Sequence, residues 1–446
     1  MKKEILLVFF IGLHIHIFAQ NAESDKRLAS FLNAEKWIEM RSFMQSQNKE
    51  NTTNPTLWQI ADLLNDYHFN SLDNLSEKTY KIIDIYKNEK NNADGDKISW
   101  LMLLQNHCDY LQDFSNSLKV CKDILSIQSE DSFVINKQKE QITLKPFYER
   151  LSQCPPLKVK RLPQDTILHY SNPTGTYLTF CDVLCNKEKI TSLMDTGAGM
   201  PVMYKKKADQ LNVKYIANDT TYVNGNTISQ RAIIDSLQIG NYIFYNLQVA
   251  VLPDIKKETL LESMGDTLEK RINKGIQLLE APDLIWGMPC LRYMKEICFD
   301  TQKHVISMPF IKSDPISTSP IAIIDNTLYA RITLNDIPFT GHIDTGMEGE
   351  IRINENFYKI NQNKFPIAKD SIVTTMGFTS LDRNIPVKIP AITNVKIGEG
   401  NREISCNQAW ILPNNVFKYD GMIGNFIFKE YDTIIFNFED MWIHVK

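Results

Sequence analysis

From about residue 170 to its end, the chain carries one series of anchors twice in the same order, and a sequence that does so is expected to fold as two similar units. Asp195-Thr196-Gly197, in TSLMDTGAGM, returns 149 residues later as Asp344-Thr345-Gly346, in GHIDTGMEGE. Ile239-Gly240, in SLQIGN, returns after 158 residues as Ile397-Gly398, in NVKIGE, and Pro253, in VLPD, after 160 as Pro413, in ILPN. Gly287, in DLIWGMPCL, returns after 137 as Gly424, in DGMIGNFIF. That last spacing runs on without a gap from ICFDTQKHVIS (residues 297–307) to IIFNFEDMWIH (residues 434–444). The spacing shrinks because residues 255–281 have no second copy; their helical periodicity predicts a surface insertion in the first half.

Each copy of the first anchor places an acid where an acid is costly. Leu193 and Met194, like Ile343, read as buried strand, and Thr-Gly forces a sharp turn directly after the aspartate. A carboxylate there must be hydrogen-bonded or have chemistry to perform. Two aspartates at one position of two related units face each other, and like charges that close hold one proton between them. The ionised member can act as a general base on water while the protonated member donates to a carbonyl.

With these motifs, the β region resembles the bilobal aspartic proteases of the pepsin and retropepsin group, over about residues 170–446. The resemblance implies an all-β, two-lobed acid-protease fold, with one lobe over residues 170–312 and the other over 313–446. It implies that Asp195 and Asp344 are catalytic, that Thr196 and Thr345 bond across the lobes, and that Gly197 and Gly346 let backbone N–H groups approach the acids. Gly287 and Gly424, in LIWG and MIG, match the glycines of the strand that supports each catalytic loop. Gly225, in TYVNGN, and Gly377, in TTMGFT, are flap candidates, and two flaps imply a retropepsin-like symmetry; Tyr222 reads as a packed surface residue. Departures lie in the second loop, where Met347 and Glu348 replace the usual small residue and bring bulk and a further acid. His342 reads as a strand residue with a backbone partner. Ala198 and Met347 offer no hydroxyl to the carboxylates, so the shared proton is expected to persist toward neutral pH.

Upstream the text is helical, from residue 22 to 153. Leu57, Ile60, Ala61 and Leu64 share a helix face, as do Leu75, Thr79, Ile82, Ile83 and Tyr86, and Leu101, Leu104, Cys108 and Leu111. Breaks at NNADGD (residues 91–96) and FSNS (residues 114–117) pair these helices. The irregular recurrence resembles a degenerate tetratricopeptide-type stack, and a plain helical bundle fits equally. Cys154, Pro155 and Pro156 end the helices, and residues 154–169 read as a linker. At the start, Lys2, Lys3 and an apolar run to Phe18 ahead of Ala19 read as a signal peptide over residues 1–19, which implies export to the periplasm or medium with no membrane span after cleavage.

Of 446 residues, 43% are hydrophobic and the net charge is −4 with the basic residues scattered, which argues against a nucleic-acid partner. The eight cysteines have no histidine at metal-ligand spacing, so neither a metal site nor a cofactor is expected, and the pairs Cys181/Cys185 and Cys290/Cys298 read as buried strand thiols. Phosphate-loop, dinucleotide and G-x-S-x-G motifs are absent. Two functions stand open. One is an exported endopeptidase acting on a peptide or protein substrate through a proton-sharing Asp195/Asp344 pair. The other is a protease-fold peptide-binding module, impaired at the Met347 loop, whose helical region recruits a protein partner.

Overall fold

In a computed structural model of the chain, the described residues are 23–47, 54–71, 74–88, 94–172, 176–223, 227–254, 282–314, 318–347, 349, 351–366, 368–373, 387–399, 402–413, 418–426 and 430–446. The chain divides into two compact units, Met1–Pro156 and Leu157–Lys446. The expected signal peptide and the insertion at 255–281 lie outside the described residues. Among the described residues no helix is long and apolar enough to cross a membrane.

The first unit is helical: α1 (Glu23–Asn33), α2 (Trp37–Ser46), α3 (Pro55–His68), α4 (Leu75–Asn88), α5 (Asp94–Tyr110), α6 (Phe114–Leu125) and α7 (Ser132–Leu151). The faces read from periodicity point inward: Leu57, Ile60, Ala61 and Leu64 are buried, as are Leu75, Thr79, Ile82 and Ile83, and Leu101, Leu104 and Cys108. Polar bonds link distant helices, with Trp58 Nε1 donating to Asp25 Oδ1 (2.8 Å) and the Gln105 and Gln141 amides bonded reciprocally (3.0 and 2.7 Å). Both expected breaks move: of NNADGD, residues 94–96 open α5 and residues 91–93 lie outside the described residues. FSNS is the first turn of α6, and the chain turns instead at Leu111–Asp113, where Gln112 takes φ 57° and the Asp113 carboxylate accepts from Asn116 N (3.2 Å). A capping carboxylate satisfies an N–H that the first helical turn leaves orphaned, so the cap decides where the helix begins.

The second unit is a β structure. Its strands are β1 (Lys158–Arg161), β2 (Thr166–Ser171), β3 (Phe180–Cys185), β4 (Glu188–Met194), β5 (Val202–Tyr204), β6 (Lys214–Val223), β7 (Thr227–Ile239), β8 (Tyr242–Leu252), β9 (Leu284–Trp286), β10 (Glu296–Asp300) and β11 (Val305–Met308). They continue with β12 (Ser319–Ile324), β13 (Thr327–Leu334), β14 (Ile337–Asp344), β15 (Ile351–Asn354), β16 (Lys369–Val373), β17 (Val387–Glu399), β18 (Arg402–Leu412), β19 (Gly421–Gly424), β20 (Thr433–Asn437) and β21 (Trp442–Val445). Short helices α8 (Lys205–Gln210), α9 (Met288–Leu291) and α10 (Glu355–Ile360) interrupt them. The stretch expected to be a linker, residues 154–169, instead carries β1 and part of β2: Lys158 pairs with Tyr245 on β8, and β2 pairs with β3 and β11. Its alternating exposure is that of edge strands, which local composition alone reads as loop.

The repeated anchors come with repeated pairings. β3 and β4 form a hairpin, as do β13 and β14, each through two residues with positive φ, Asn186-Lys187 and Asn335-Asp336, the conformation that suits a two-residue hairpin. β4 runs parallel to β9 and β14 parallel to β19; β5 runs parallel to β8 and β15 parallel to β18. A further sheet has the order β2, β11, β10, β20, β21, β12. At its centre β10 and β20 run antiparallel with Cys298 opposite Ile435. Those two residues are equivalent under the 137-residue spacing, and an antiparallel pair centred on equivalent residues has a local twofold through it.

That central pair also holds a buried acid. Glu296, 1% exposed, accepts from Ser313 N (3.1 and 3.0 Å), Ser313 Oγ (2.7 Å) and Asn437 Nδ2 (3.2 Å). Replacing Glu296 with Ala strands these donors, and the expected loss is about 2–4 kcal/mol of unfolding free energy, less for Gln, which still accepts. Urea denaturation of the two variants measures it; a loss below about 0.5 kcal/mol for Ala would show the network to be dispensable.

Candidate active site

The site is assembled where β4 and β14 end. Asp195 follows β4 and its N–H donates to Trp286 O on β9 (2.9 Å), while Asp344 closes β14 opposite Gly424 on β19. Both aspartates therefore emerge from strands held by a parallel neighbour. The two turns are then joined by four hydrogen bonds related in pairs. Thr196 N donates to Thr345 Oγ1 (2.9 Å) and Thr345 N to Thr196 Oγ1 (3.0 Å). In turn Thr196 Oγ1 donates to Ile343 O (2.6 Å) and Thr345 Oγ1 to Met194 O (3.0 Å). Both threonines are buried, so these partners replace water for their N–H and hydroxyl groups.

The carboxyl groups of Asp195 and Asp344 are in hydrogen-bond contact with each other. Gly197 N donates to Asp195 Oδ1 (2.8 Å) and Gly346 N to Asp344 Oδ1 (3.0 Å). Burial, and then the negative charge of Asp344, push the Asp195 carboxyl well above the ordinary carboxylate range, against the lowering by the Gly197 and Gly346 N–H groups. Glycine is required at the turns by proximity: a Cβ on Gly197 would stand 2.8 Å from the Asp344 carboxyl carbon, and one on Gly346 only 2.3 Å from that of Asp195. Gly287 has the same reason, since a Cβ there would meet Asp195 O at 2.2 Å, and a Cβ on Gly424 would meet Gly349 O at 2.4 Å.

The second loop has the backbone of the first. Ala198 N donates to Asp195 O (3.1 Å) and Met347 N to Asp344 O (3.2 Å); Met288 N donates to Ala198 O (3.0 Å) and Asn425 N to Met347 O (3.1 Å). The bulk of Met347 is absorbed by burial, at 8% exposure. Glu348 and the flap candidates Gly225 and Gly377 lie outside the described residues. Among those described, no group of three or more His, Cys, Asp or Glu could hold a metal ion. All eight cysteines are free thiols, and burial pushes Cys181 up to about 11 and Cys185 up to about 12.

One expectation fails. His342 has no partner at Nε2, which is buried, although a backbone partner was expected; the ring instead lies 5.7 Å from that of Tyr329. Burial lowers its pKa below the ordinary 6.5, against the charge of Asp344. Arg352, which no motif singles out, is also half-buried and within electrostatic reach of Asp344. The available signal for His342 was strand periodicity: two residues before Asp344 on one strand is the same face.

Comparison with known proteins adds the following. Residues 181–261 match the model of a family described as gag-polyprotein putative aspartyl protease, a span that contains Asp195 and stops short of Asp344. No curated protein matches. Among solved structures, basic 7S globulin from soybean is similar at 10% identity over 64% of this chain and 95% of its own, with a TM-score of 0.38. A retropepsin-like aspartic protease from Rickettsia conorii is similar at 21% identity over 34% of this chain and 92% of its own, with a TM-score of 0.22. Conglutin gamma, a basic 7S globulin from lupine seeds, is similar at 11% identity, with the same coverages as the soybean protein and a TM-score of 0.35. The family match, together with the Asp-Thr-Gly turns, supports an aspartic-protease-like fold for the β unit.

Two outcomes are expected of this geometry. Thr196→Val removes a hydroxyl that serves two buried backbone groups and is expected to cost about 2–4 kcal/mol, while Thr196→Ser keeps both bonds; chemical denaturation of the pair separates them. For Asp195 the folded state favours the protonated carboxyl, so its contribution to stability is full below the ordinary carboxyl pKa of about 3.9 and is lost as pH rises through the raised value. Asp195→Asn is expected to flatten that part of the stability–pH curve; a curve of unchanged shape counts against the shared proton.

Proposed function

We propose that the chain is an exported aspartic endopeptidase in which two equivalent β lobes, residues 170–312 and 313–446, meet at the Asp195/Asp344 pair. The observation that carries the reading is the contact between two carboxyls, each held by the N–H of a turn glycine and locked together by the Thr196–Thr345 bonds. A binding surface has no use for two acids so placed that they cannot both ionise. With one proton between them, one carboxylate removes a proton from water as it attacks the peptide carbonyl. The other, protonated, donates to the carbonyl oxygen as negative charge develops there. The same pair then returns a proton to the leaving amine, so the enzyme needs no metal for the cycle.

The reading of an impaired binding module drew its motive from Met347, and the matched backbone bonds of the Ala198 and Met347 loops weaken that motive. The helical unit supplies no group to the chemistry under this proposal, and a partner-recruiting role suits it. Export rests on the order of charge, apolar run and small residue at the start of the sequence.

Asp195→Asn and Asp344→Asn keep the shape of the site and remove a proton-transfer group. Each alone is expected to lower kcat/KM on peptides by at least about 10²–10⁴-fold, with the double variant scarcely worse than either, because the two act as a unit. Peptide binding measured by fluorescence anisotropy is expected to survive in all three. If the wild type cleaves no member of a mixed peptide library between acid and neutral pH, while binding is intact, the enzyme reading gives way to the binding module.

A further inference from the structure

The two halves of the site carry one equivalent row of five side chains, and the rows differ in kind. In the first half the register aligns Phe180, Leu193, Ile285, Val202 and Ala250 across β3, β4, β9, β5 and β8. Four of these are buried, Val202 packs against them, and the row closes on itself as apolar core. In the second half the same pairings align Tyr329, His342, Met422, Arg352 and Trp410 across β13, β14, β19, β15 and β18. The fold therefore accepts an all-apolar row, and the histidine and arginine answer to something else.

Their placement says what. Side chains alternate along a strand, so His342 stands on the same face of β14 as the Asp344 carboxyl, one step back. Arg352 lies two strands from His342, about 10 Å across the sheet at ordinary strand spacing, with Met422 between them. The guanidinium sits 5.6 Å from the centre of the Trp410 ring, which steadies the cation but neutralises nothing. Among the described residues no carboxylate pairs with it, and His342 Nε2 is buried without a partner. A half-buried guanidinium with five donors and an orphaned ring nitrogen, flanking one methionine beside the reacting pair, lack only an acceptor carrying negative charge.

Building on the protease reading, we propose that Arg352 and His342 form a recognition site for a substrate carboxylate held on the Asp344 side of the scissile bond, Arg352 by its fork and His342 by an N–H at Nε2. The carboxylate can come from an Asp or Glu side chain or from the free end of a short peptide. These residues touch substrate away from the reacting atoms and set which peptide is taken.

The test uses the full chain and quenched-fluorescence peptides matched except for Glu against Gln, or Asp against Asn, at each position near the cleavage site. Every peptide is made with a free and an amidated C-terminus. The wild type is expected to favour the acid by about tenfold or more in kcat/KM at one position. Arg352→Met is expected to bring that ratio close to one, Arg352→Lys to retain part of it, and His342→Leu, which copies the residue of the first half, to lower it. A loss caused only by the guanidinium's effect on Asp344 would slow acid and amide peptides equally and leave the ratio intact, which overturns the proposal. A wild-type ratio near one overturns it as well. A preference that tracks the free C-terminus assigns the carboxylate to the chain end, and one that survives amidation assigns it to a side chain. The same peptide pairs are titrated against Asp195→Asn by anisotropy. Arg352-dependent acid preference in binding with no turnover by the wild type sinks the protease reading alone, and turnover without the preference sinks the inference alone. Thermal melts of each variant exclude misfolding as the source of a changed ratio.

Discussion

The reciprocal bonds between Thr196 and Thr345 are the constraint on which the rest of the site depends. Each threonine N–H is buried at the end of a strand and has no acceptor in its own half; each hydroxyl likewise spends its proton on a carbonyl of the other half. Leaving such groups unpaired costs about 1–3 kcal/mol apiece, so neither turn is satisfied until both are present. The bonds also fix how far apart the carboxyls can be. Two acids in contact repel when ionised, and a softer junction would let them separate; four buried hydrogen bonds directly beneath them do not.

The same junction explains the strictness of the glycines. Once the turns are locked, Gly197 and Gly346 pass so close to the opposite carboxyl that no side chain fits, and Gly287 passes as close to the backbone of the first turn. Backbone that near can offer N–H groups to the acids, which is how Asp195 and Asp344 each receive a donor without a basic side chain. The central strand pair repeats the geometry farther away, with Cys298 facing its own equivalent, Ile435.

What was legible in the sequence follows from this. The Asp-Thr-Gly turns and the supporting glycines were readable because close contact between the two turns leaves no freedom of residue type, whereas the pairing of Cys298 with Ile435 appears only in the strand register. Residues 158–161 were misread because Lys-Val-Lys-Arg has no strand character of its own; its partner is β8, more than eighty residues on. FSNS was misread as a break because serine and asparagine mark helix starts as well as loops, and only the Asp113 cap decides between them. The assumption of a backbone partner for His342 failed because neighbours in sequence do not reveal which ring atoms a fold leaves empty. Arg352 carried no signal at all: its relation to Asp344 exists only through the registers of β14, β19 and β15.

Matched bonds at the two turns do not make the surroundings of the two acids alike. The positions that touch the axis are alike in both halves, and one strand away they diverge: Val202 stands where Arg352 stands in the other half. A guanidinium on the Asp344 side, with only an isopropyl group on the other, makes the field uneven across two carboxyls that the backbone bonds alike. Under the proposed reaction, the separate roles of the two acids need not be decided by the turns themselves. They can be set by side chains one strand removed, which are free to vary because the hydrogen bonds at the junction hold the geometry for them.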